Sequence, residues 1–459
     1  MFVMEATTVQ SRQRRRSIVG LAHDARTQLS ERLTNRTARV AVMGLGYAGL
    51  PMAVEFSHSG YSVMGLDVND RRVETIVAGR SPVSDVADGD VAALVESGRL
   101  LATTDFSCLR TIDVVFICVP TPLTPEQEPN LSFVQAAARS IAASLHSGML
   151  VILQSTCPPW TTRRVLLPIL QEAHPELQVG DDYFVAFAPE RIDPGNKRYN
   201  LHNTPKIVGG LTPACTQLAA QLFQPVAEQV IAVSSPEVAE TTKLLENSFR
   251  FVNISFINEM MLVCDRLGVN IWDVVNAAAT KPFAFMAHFP GPGVGGDCIP
   301  IVPFHLEAAA REHGASSEMI NAAGRINARM PGFVVSKLTR LMEQRGRQLT
   351  GARVLVLGAA YKADVGDVRE SPSLRVIQIL VELGALVDYY DPYVPSVRCG
   401  GATLRSLSWD EVVDQHFDGA VLLAAHSGVD YVRIARQTDV LLDTRRALNG
   451  HTGSSVVTL

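Results

Sequence analysis

The segment that most restricts the fold of this chain is the glycine-rich turn Gly44-Leu45-Gly46-Tyr47-Ala48-Gly49. An apolar run, residues 39–43, precedes it, and a helical pattern from Leu50 to Ser59 follows. A second apolar run then ends at Asp67. A lone glycine turn is common, but a strand before it, a helix after it and an acid about 20 residues further on are typical of a dinucleotide-binding βαβ unit. The sequence therefore predicts a Rossmann-type domain, which we place at residues 38–210.

Each glycine of the turn has its own physical role in such a unit. Gly44 permits the tight turn, Gly46 lets a pyrophosphate approach the backbone, and Gly49 lets helix and strand pack closely. The free N–H groups and positive dipole at the start of the helix then face the phosphates. We count Tyr47, which lies in the same turn, with the cofactor-binding residues.

The acid at the end of the second strand indicates which dinucleotide binds. Asp67 is placed to accept hydrogen bonds from the adenosine ribose hydroxyls, which favours NAD over NADP. Arg72, five residues on, has two interpretations: it stacks on the adenine, or it meets a 2′-phosphate.

Composition excludes several classes of protein. The chain has 459 residues, enough for two to four domains, and 47% are hydrophobic, so an extended disordered protein is excluded. A net charge of −5 argues against nucleic-acid binding, and no apolar stretch is long enough to span a membrane. The seven cysteines lack CxxC spacing, so we expect neither a zinc site nor a disulfide framework, and we expect a cytoplasmic protein. Residues 1–37, with arginines at 12, 14, 15 and 16, are assigned as an N-terminal extension, either a targeting or anion-binding tail or a loosely docked segment.

Three further apolar runs, 111–119, 149–153 and 183–187, have the composition of strands buried on both faces. Their carboxyl ends meet at the sheet edge where such folds bind ligands. The polar residues that follow them are therefore expected beside the dinucleotide loop. They include Thr121, Ser155, Thr156 and Glu190.

The stretch from Glu237 to Leu267 contains neither proline nor glycine and reads as one long helix. Lys243 and Asn247 are four residues apart and share a face of it. On spacing alone, a solvated lysine beside a surface asparagine is the simpler interpretation. For Asn253 and Asn258, a buried position with hydrogen bonds between helices is an equal alternative.

Residues 281–303 form a loop rich in glycine and proline, which excludes a helix or a central strand. Cys298 lies in it, and backbone N–H groups of such a loop stabilise a thiolate, so this cysteine is the candidate nucleophile. Cys157, in a loop after a strand, is the second candidate. Cys118 and Cys264 lie in apolar patterns and are expected to be structural.

A second α/β unit begins with the strand 353–357 and its glycine turn at Gly358. The loop 361–372 that leads to its first helix carries Lys362 and Arg369, which suit a phosphate-bearing ligand, although a solvated charged loop is an equal alternative. The predicted fold class is α/β, with two Rossmann-like doubly wound domains joined by a helical core that contains one long central helix. The helical core is placed at 211–330 and the second Rossmann-like domain at 331–459.

Taken in order, several segments resemble the nucleotide-sugar 6-dehydrogenase family, which includes UDP-glucose and UDP-N-acetylhexosamine dehydrogenases. The resemblance extends from about Arg39 to Leu442, and its joint pattern is specific. The PERIDPGN and TKPFAFM segments are closer to the UDP-N-acetylhexosamine branch. The matching segments are GLGYAGLP, VPTPL, STCPPWTT, APERIDPGN, ETTKLLEN, TKPFAFM, GPGVGGDCIP and YKADVGDVRESPS.

The resemblance implies a four-electron oxidation of the sugar C6 alcohol to a uronic acid with NAD, through a thiohemiacetal and a thioester on Cys298. It implies that Lys243 stabilises charge on the C6 oxygen or takes its proton, and that Asn247 donates to the developing oxyanion. Thr156 would position water, and Glu190 would be the general base in thioester hydrolysis.

The resemblance also assigns ligand contacts and partners. Thr121 and Ser155 match positions beside the nicotinamide, and Lys362 and Arg369 match positions that bind the substrate diphosphate or sugar. Gly295 and Gly296 of the cysteine loop join the substrate-binding set. The implied partners are a nucleotide sugar of polysaccharide or glycoside biosynthesis and a second copy of the chain, as a homodimer or higher homo-oligomer. No metal is implied.

Three residues depart from the family pattern. Val302 replaces an acid four residues after the cysteine, Asp297 stands where the branch often has histidine, and Trp160 replaces a glycine. UDP-glucose, dTDP-glucose and a UDP-N-acetylhexosamine therefore all remain candidate substrates. The alternatives are a catalytically impaired nucleotide-sugar-binding paralogue and an enzyme that stops at the aldehyde.

Overall fold

The computed structural model describes residues 25–83, 85–193, 196, 198–296, 298–449 and 455–459. The arginine cluster at 12–16 and Asp297, both singled out from the sequence, lie outside the described residues. The chain divides into two compact units, Met1–Leu245 and Glu246–Leu459, and each is described by itself.

The first unit is built on a large, mostly parallel sheet. Its strand order is β3-β2-β1-β4-β5-β6-β7-β8, which begins with the order of a dinucleotide-binding fold. Every neighbouring pair is parallel except β6 and β7. The strands are β1 (Arg39–Met43), β2 (Ser62–Leu66), β3 (Leu100–Thr103), β4 (Val114–Ile117), β5 (Leu150–Leu153), β6 (Phe184–Phe187), β7 (Lys206–Gly210) and β8 (Val230–Ala232).

Helices cover both faces of this sheet. The sheet continues past residue 210, where the sequence analysis ended the first domain, because α7 returns the chain to β8, which pairs with β7. The helices are α1 (25–34), α2 (Gly49–His58), α3 (Asp70–Val77), α4 (Asp88–Glu96), α5 (Ser132–Ala142), α6 (Leu167–Ala173) and α7 (Pro213–Phe223).

Helix α1, in the predicted extension, packs on the domain that follows it. Leu29 and Leu33 are buried in the same apolar cluster as the residues of β1 and α2. Ser30 and Gln221 of α7 exchange two hydrogen bonds of 3.0 and 2.9 Å, and the Tyr61 hydroxyl donates to the Leu33 carbonyl at 3.1 Å. Arg32 forms an ion pair with Asp113.

The long helix predicted at 237–267 is α8 (Pro236–Leu267). Proline suits its first turn, and Gly268, with φ of +68°, ends it. A row of apolar side chains along α8 is exposed, and we call it the α8 stripe. It comprises Leu245, Phe249, Phe256, Val263 and Leu267.

The second unit contains a five-stranded, wholly parallel sheet with the order β10-β9-β13-β14-β15, and a two-stranded hairpin of β11 and β12. Five residues of β9 pair in register with β10, from Arg353 beside Leu386 to Leu357 beside Tyr390. The strands are β9 (Arg353–Leu357), β10 (Leu386–Tyr390), β11 (Ser396–Cys399), β12 (Ala402–Arg405), β13 (Gly419–Leu422), β14 (Leu441–Asp443) and β15 (Val456–Thr458). The helices are α9 (Ile271–Ala278), α10 (Val302–Glu312), α11 (Glu318–Glu343), α12 (Pro372–Glu382), α13 (Trp409–Val413) and α14 (Tyr431–Ala435).

The predicted fold class is confirmed: two doubly wound α/β units and a helical segment with one long helix. Among the helices of the described residues, none combines the length and the apolar character that crossing a bilayer requires.

Candidate active site

The glycine turn after β1 is held against the sheet as the sequence predicts. Gly44 has φ of +91°, and a Cβ there would lie 2.6 Å from the Cys118 carbonyl oxygen. A Cβ on Gly49 would lie 1.8 Å from the Gly44 oxygen. Both positions therefore admit glycine alone, because backbone atoms occupy the space that a side chain needs.

Gly46 differs from its two neighbours. A Cβ built there meets no atom within 4 Å, so the space in front of this residue is open. Helix α2 begins three residues later, at Gly49. An open space at a glycine turn and helix N-terminus is the cradle that a pyrophosphate fills. Tyr47 is half-buried and packs against the adjacent core.

The carboxylate at the end of β2 fixes the turn. Asp67 is buried, and its Oδ2 accepts hydrogen bonds of 2.8 Å from the Leu45 N–H and from Arg72 Nη1. Its Oδ1 accepts one of 2.9 Å from the Asn69 N–H. The Arg72 guanidinium forms an ion pair with Asp67, and its two interpretations from the sequence, stacking on the adenine and contact with a 2′-phosphate, stay predictions.

The strand ends of β4 and β5 are tied together by the residues predicted to lie there. The Ser155 hydroxyl donates to the Val119 carbonyl at 2.7 Å, and the Thr121 hydroxyl donates to the Thr156 carbonyl. Thr121, Ser155 and Thr156 are therefore brought together at the carboxyl edge of the first sheet.

Glu190 follows β6 and is anchored through both carboxylate oxygens. Its Oε1 accepts from the N–H groups of Arg191 and Ile192 at 2.8 and 2.9 Å. Its Oε2 accepts from Gln154 Nε2 at 2.8 Å, and the Lys206 Nζ lies 3.7 Å away. Neither Gln154 nor Lys206 was predicted from the sequence as a partner of Glu190.

A second carboxylate, which was not predicted from the sequence, holds the loop after Thr156. Glu240 of α8 is buried and accepts from the Trp160 N–H at 2.7 Å, the Thr162 N–H at 2.8 Å and the Thr162 hydroxyl at 2.6 Å. Burial raises the pKa of Glu240 to about 7, against the opposing effect of these hydrogen bonds. Its spacing from Lys243 and Asn247 along one helix face is the signal that could have revealed it.

Lys243 and Asn247 are both buried in α8, so the simpler interpretation, a solvated lysine beside a surface asparagine, is wrong. Among the described residues no group accepts a hydrogen bond from Asn247 Nδ2. The charge of Lys243 helps to lower the pKa of Lys206, whose burial is the main cause of that shift, so the two ammonium groups lie within electrostatic range.

The cysteine loop of the second unit is held by two asparagines. Asn258 Oδ1 accepts from the Gly291 N–H at 3.0 Å, and Asn327 Oδ1 accepts from the Val294 N–H at 2.6 Å. Asn253 instead donates to the Phe249 carbonyl of its own helix. Cys298 is exposed at the end of this loop.

The same loop packs on the segment that carries the predicted substrate-binding residues. The Gly296 N–H donates to the Arg369 carbonyl at 3.0 Å, and a Cβ on Gly295 would lie 2.7 Å from the Tyr361 Cβ. Lys362 follows Tyr361 and is half-buried. The Arg369 guanidinium pairs with the buried Asp367 carboxylate, with Nη2 and Oδ2 2.7 Å apart.

The other cysteine candidates are less suited to nucleophilic attack. Cys157 is buried, and burial, reinforced by the charge of Glu240, raises the pKa of its thiol well above the ordinary value. Burial likewise raises the pKa of Cys118. Val302 is buried at the start of α10, where its N–H donates to the Cys298 carbonyl at 2.8 Å.

Three family models match the chain in sequence. They describe the NAD binding domain (residues 38–227), the central domain (237–329) and the UDP binding domain (355–450) of the UDP-glucose/GDP-mannose dehydrogenase family.

Individual relatives match over most of their length. The chain is 37% identical to a UDP-N-acetyl-D-mannosamine dehydrogenase of Pyrococcus horikoshii, over 78% of this chain and 84% of the relative. It is 33% identical to a UDP-N-acetyl-D-glucosamine 6-dehydrogenase of Pseudomonas aeruginosa, over 90% of this chain and 97% of the relative. The solved structure of a UDP-D-ManNAc dehydrogenase from Pyrococcus horikoshii superposes with a TM-score of 0.82, at 33% identity, over 92% of this chain and 98% of that one.

Proposed function

The chain belongs to the UDP-glucose/GDP-mannose dehydrogenase family of NAD-dependent oxidoreductases, and on that premise we propose that it oxidises C6 of a UDP-N-acetylhexosamine to the uronic acid through a thioester on Cys298. The observation that carries the proposal is the exposed Cys298, at the end of a glycine loop packed on the segment of Lys362 and Arg369.

The residues of the first unit fit the dinucleotide. The open space at Gly46, the N-terminus of α2 and the buried Asp67 are the groups that would hold its pyrophosphate and ribose. NAD, when bound, accepts a hydride in each of the two oxidation steps. Thr121 and Ser155 at the neighbouring strand ends would line the nicotinamide side.

Two residues of α8 would act on the C6 oxygen. Lys243 is buried, which suits a group that takes the alcohol proton or stabilises negative charge on oxygen. The Asn247 Nδ2 is buried with no acceptor among the described residues, so a substrate oxyanion would supply the partner that it lacks.

The aldehyde formed first would be captured by the Cys298 thiolate as a thiohemiacetal, and the second oxidation would convert this into a thioester. Water then attacks C6, its proton passes to Glu190, and the carbon–sulfur bond breaks with its electron pair on sulfur. The Glu190 carboxylate accepts hydrogen bonds through both oxygens, which fixes its orientation for this role. Thr156, at the adjacent strand end, would position the water.

The nucleotide sugar would be held mainly by the second unit, where the UDP binding domain matches. Lys362 and Arg369 would contact the diphosphate or the sugar, and Gly295 and Gly296 would let substrate approach the backbone. Two relatives named for N-acetylated sugars favour a UDP-N-acetylhexosamine over UDP-glucose or dTDP-glucose.

A substrate panel tests the proposal. The purified chain is given NAD⁺ and, in turn, UDP-N-acetylmannosamine, UDP-N-acetylglucosamine, UDP-glucose and dTDP-glucose. We expect two NADH and one uronic acid per sugar consumed, identified by mass spectrometry, and no uronic acid from Cys298→Ser. Uronic acid from that variant at the wild-type rate would refute the role of the cysteine.

The buried Val302, where the family commonly has an acid, motivates the impaired paralogue as an alternative, and an enzyme that stops at the aldehyde is the other. Binding of a panel sugar without NADH would identify an impaired paralogue. One NADH per sugar, with aldehyde as the product, would identify an enzyme that stops half-way.

The α8 stripe supports a homodimer or higher homo-oligomer, because apolar side chains of this size along one helix are normally covered by a partner. Phe249→Glu together with Phe256→Glu should reduce the mass measured by analytical ultracentrifugation, and an unchanged mass would refute this surface. A cytoplasmic location is proposed on the seven free cysteines.

A further inference from the structure

Strand β7 runs antiparallel to β6, so the first residue of β7, Lys206, lies at the edge of the first sheet where β6 ends. Its pairing with β6 places Ala186 beside Gly210 and Phe187 beside Gly209. Continuing that register brings Lys206, the first residue of β7, opposite Glu190. A parallel strand would have put its last residue there instead.

Lys206 is a buried cation with little compensation. Its side chain is 2% exposed, and Nζ has no hydrogen-bond partner among the described residues. Among the described residues its ion-pair partner is Glu190, whose Oε2 lies 3.7 Å from Nζ, and the ring centroid of Phe223 lies 5.0 Å from Nζ. Burial of an ammonium group is costly unless a counter-charge lies close to it. Here Glu190 is that counter-charge.

Gln154 completes the surroundings of the carboxylate. It is buried, and its Nε2 donates to Glu190 Oε2 while its Oε1 has no donor among the described residues. The amide orientation is determined by chemistry, because the reverse orientation would set an oxygen against a carboxylate oxygen. Among the described residues, the hydrogen bonds and the ion pair of the Glu190 carboxylate come from two backbone N–H groups, the amide of Gln154 and the ammonium of Lys206.

We propose that Lys206 is a positioning residue for Glu190, the counter-charge that keeps this carboxylate ionised and fixed for the hydrolysis of the thioester. The inference rests on the proposed function, since it assumes that Glu190 takes the proton of the attacking water. An uncharged, isosteric side chain at 206 would leave a half-buried carboxylate with fewer partners, which favours its protonated form. The protonated form cannot accept the water proton, so hydrolysis should slow while both oxidations continue.

The test compares the wild type with Lys206→Met and Lys206→Arg, and with Lys337→Met as the matched control. Lys337 likewise forms an ion pair, with Asp265 of the second unit, although it is only partly buried, and it lies outside the proposed machinery. In Lys206→Met we expect at least a tenfold slower hydrolysis, an acyl-enzyme on Cys298 seen by intact mass spectrometry, and an acidic limb of the kcat profile moved to higher pH. Lys206→Arg should recover most of the rate, and Lys337→Met should match the wild type.

A folded Lys206→Met enzyme with an unshifted pH profile and no acyl-enzyme overturns the inference, even where the wild type forms uronic acid as proposed. If the wild type forms none from any sugar of the panel, the proposed function fails, and a double-mutant cycle in Tm with Glu190→Gln decides on the ion pair alone. A Tm loss from Lys206→Met that is the same with and without Glu190→Gln also overturns it. If Lys206→Met does not fold, folding of the double variant with Glu190→Gln would support the ion pair between Lys206 and Glu190. Failure of the double variant to fold would contradict the ion pair.

Discussion

The backbone N–H of Trp160 donates a hydrogen bond of 2.7 Å to the buried carboxylate of Glu240. Trp160 has φ of +76°, a left-handed conformation that L residues adopt at a cost, and the family pattern has glycine at this position. A carboxylate on α8 therefore holds a strained turn in the loop that begins with Ser155 and Thr156.

Replacement of Glu240 by glutamine should change how stability depends on pH. Because the pKa of Glu240 in the folded chain is raised to about 7 from 4.5, this carboxyl favours the fold below about pH 4.5 and loses that contribution as pH rises through 7. The wild-type free energy of unfolding, relative to that of Glu240→Gln, should therefore fall by roughly 3 kcal/mol from pH 4 to pH 8. Urea denaturation at several pH values measures it.

Glu237→Gln is the matched control, and the stability difference between the wild type and this variant should change with pH in the opposite direction. Burial works against ionisation of Glu237, but hydrogen bonds from Arg163 and Ser235 outweigh it and lower the pKa. The wild type should gain stability over this variant as pH rises from the lowered folded-state pKa to the unfolded-state pKa, and hold that gain above it. Parallel pH dependence in the two variants would contradict the assignment.

Two substitutions at Trp160 separate the backbone strain from the contacts of the ring. Trp160→Ala and Trp160→Gly both remove the indole and its stacking with Arg164, whose guanidinium carbon lies 4.7 Å from the ring centroid. Only glycine also removes the strain. Trp160→Gly should therefore be more stable than Trp160→Ala by about 1 kcal/mol, measured by chemical denaturation. Equal stabilities would show that the turn is unstrained.

Gly46→Ala should fold normally and bind NAD⁺ at least about tenfold more weakly. The added methyl meets no protein atom within 4 Å, but it occupies the space into which the pyrophosphate would fit. Calorimetric titration with NAD⁺ measures the loss, and Tm reports on the fold. Gly89→Ala is the control, since its methyl also meets nothing within 4 Å and lies on α4. Equal affinities in the two variants would place the pyrophosphate elsewhere.

Removal of the Asp67 carboxylate should relax the preference for NAD⁺ over NADP⁺. Asp67→Ala removes the charge that would repel a 2′-phosphate and releases Arg72 from its ion pair. The ratio of kcat/KM for the two dinucleotides should move toward NADP⁺ by about tenfold or more. Asp70→Ala, which removes an exposed acid three residues away, should leave the ratio unchanged.

Alkylation should discriminate among the cysteines. Cys298 is exposed, whereas Cys157 is buried and its raised pKa keeps the thiol protonated. Iodoacetamide on the folded chain should therefore modify Cys298 first and leave Cys157 intact, as followed by peptide mass spectrometry. Early modification of Cys157 would show that its loop opens.

The elements that were predicted well from the sequence are those whose ends are marked by a proline or a glycine. Helix α8 was expected at 237–267 and spans Pro236–Leu267, because a proline suits the first turn and a glycine stops the last. The strands β1 and β9 were likewise recognisable, since each is an apolar run that stops at a glycine. The glycine turn of the first unit was predictable for the same reason.

The residues that were not predicted from the sequence owe their positions to the three-dimensional arrangement of the chain, which no local sequence pattern reveals. Lys206 reaches the sheet edge only because β7 runs antiparallel, and an apolar run does not reveal its direction. Glu240 has the position of an ordinary polar residue in a helix, and its burial depends on a loop 80 residues earlier in the chain. The ion pair of Arg72 with Asp67 required the conformation of the turn between them.

Helix α1 has a practical consequence for the design of an N-terminal truncation that follows the family match. The family match begins at residue 38, after the helix has ended. A truncation made there would strip Leu29 and Leu33 from the core, uncover the apolar surface that they seal, and leave the Asp113 carboxylate without Arg32. The truncated domain would expose an apolar patch. Aggregation of such a fragment would therefore be caused by the position of the truncation and would not mean that the domain itself is unstable.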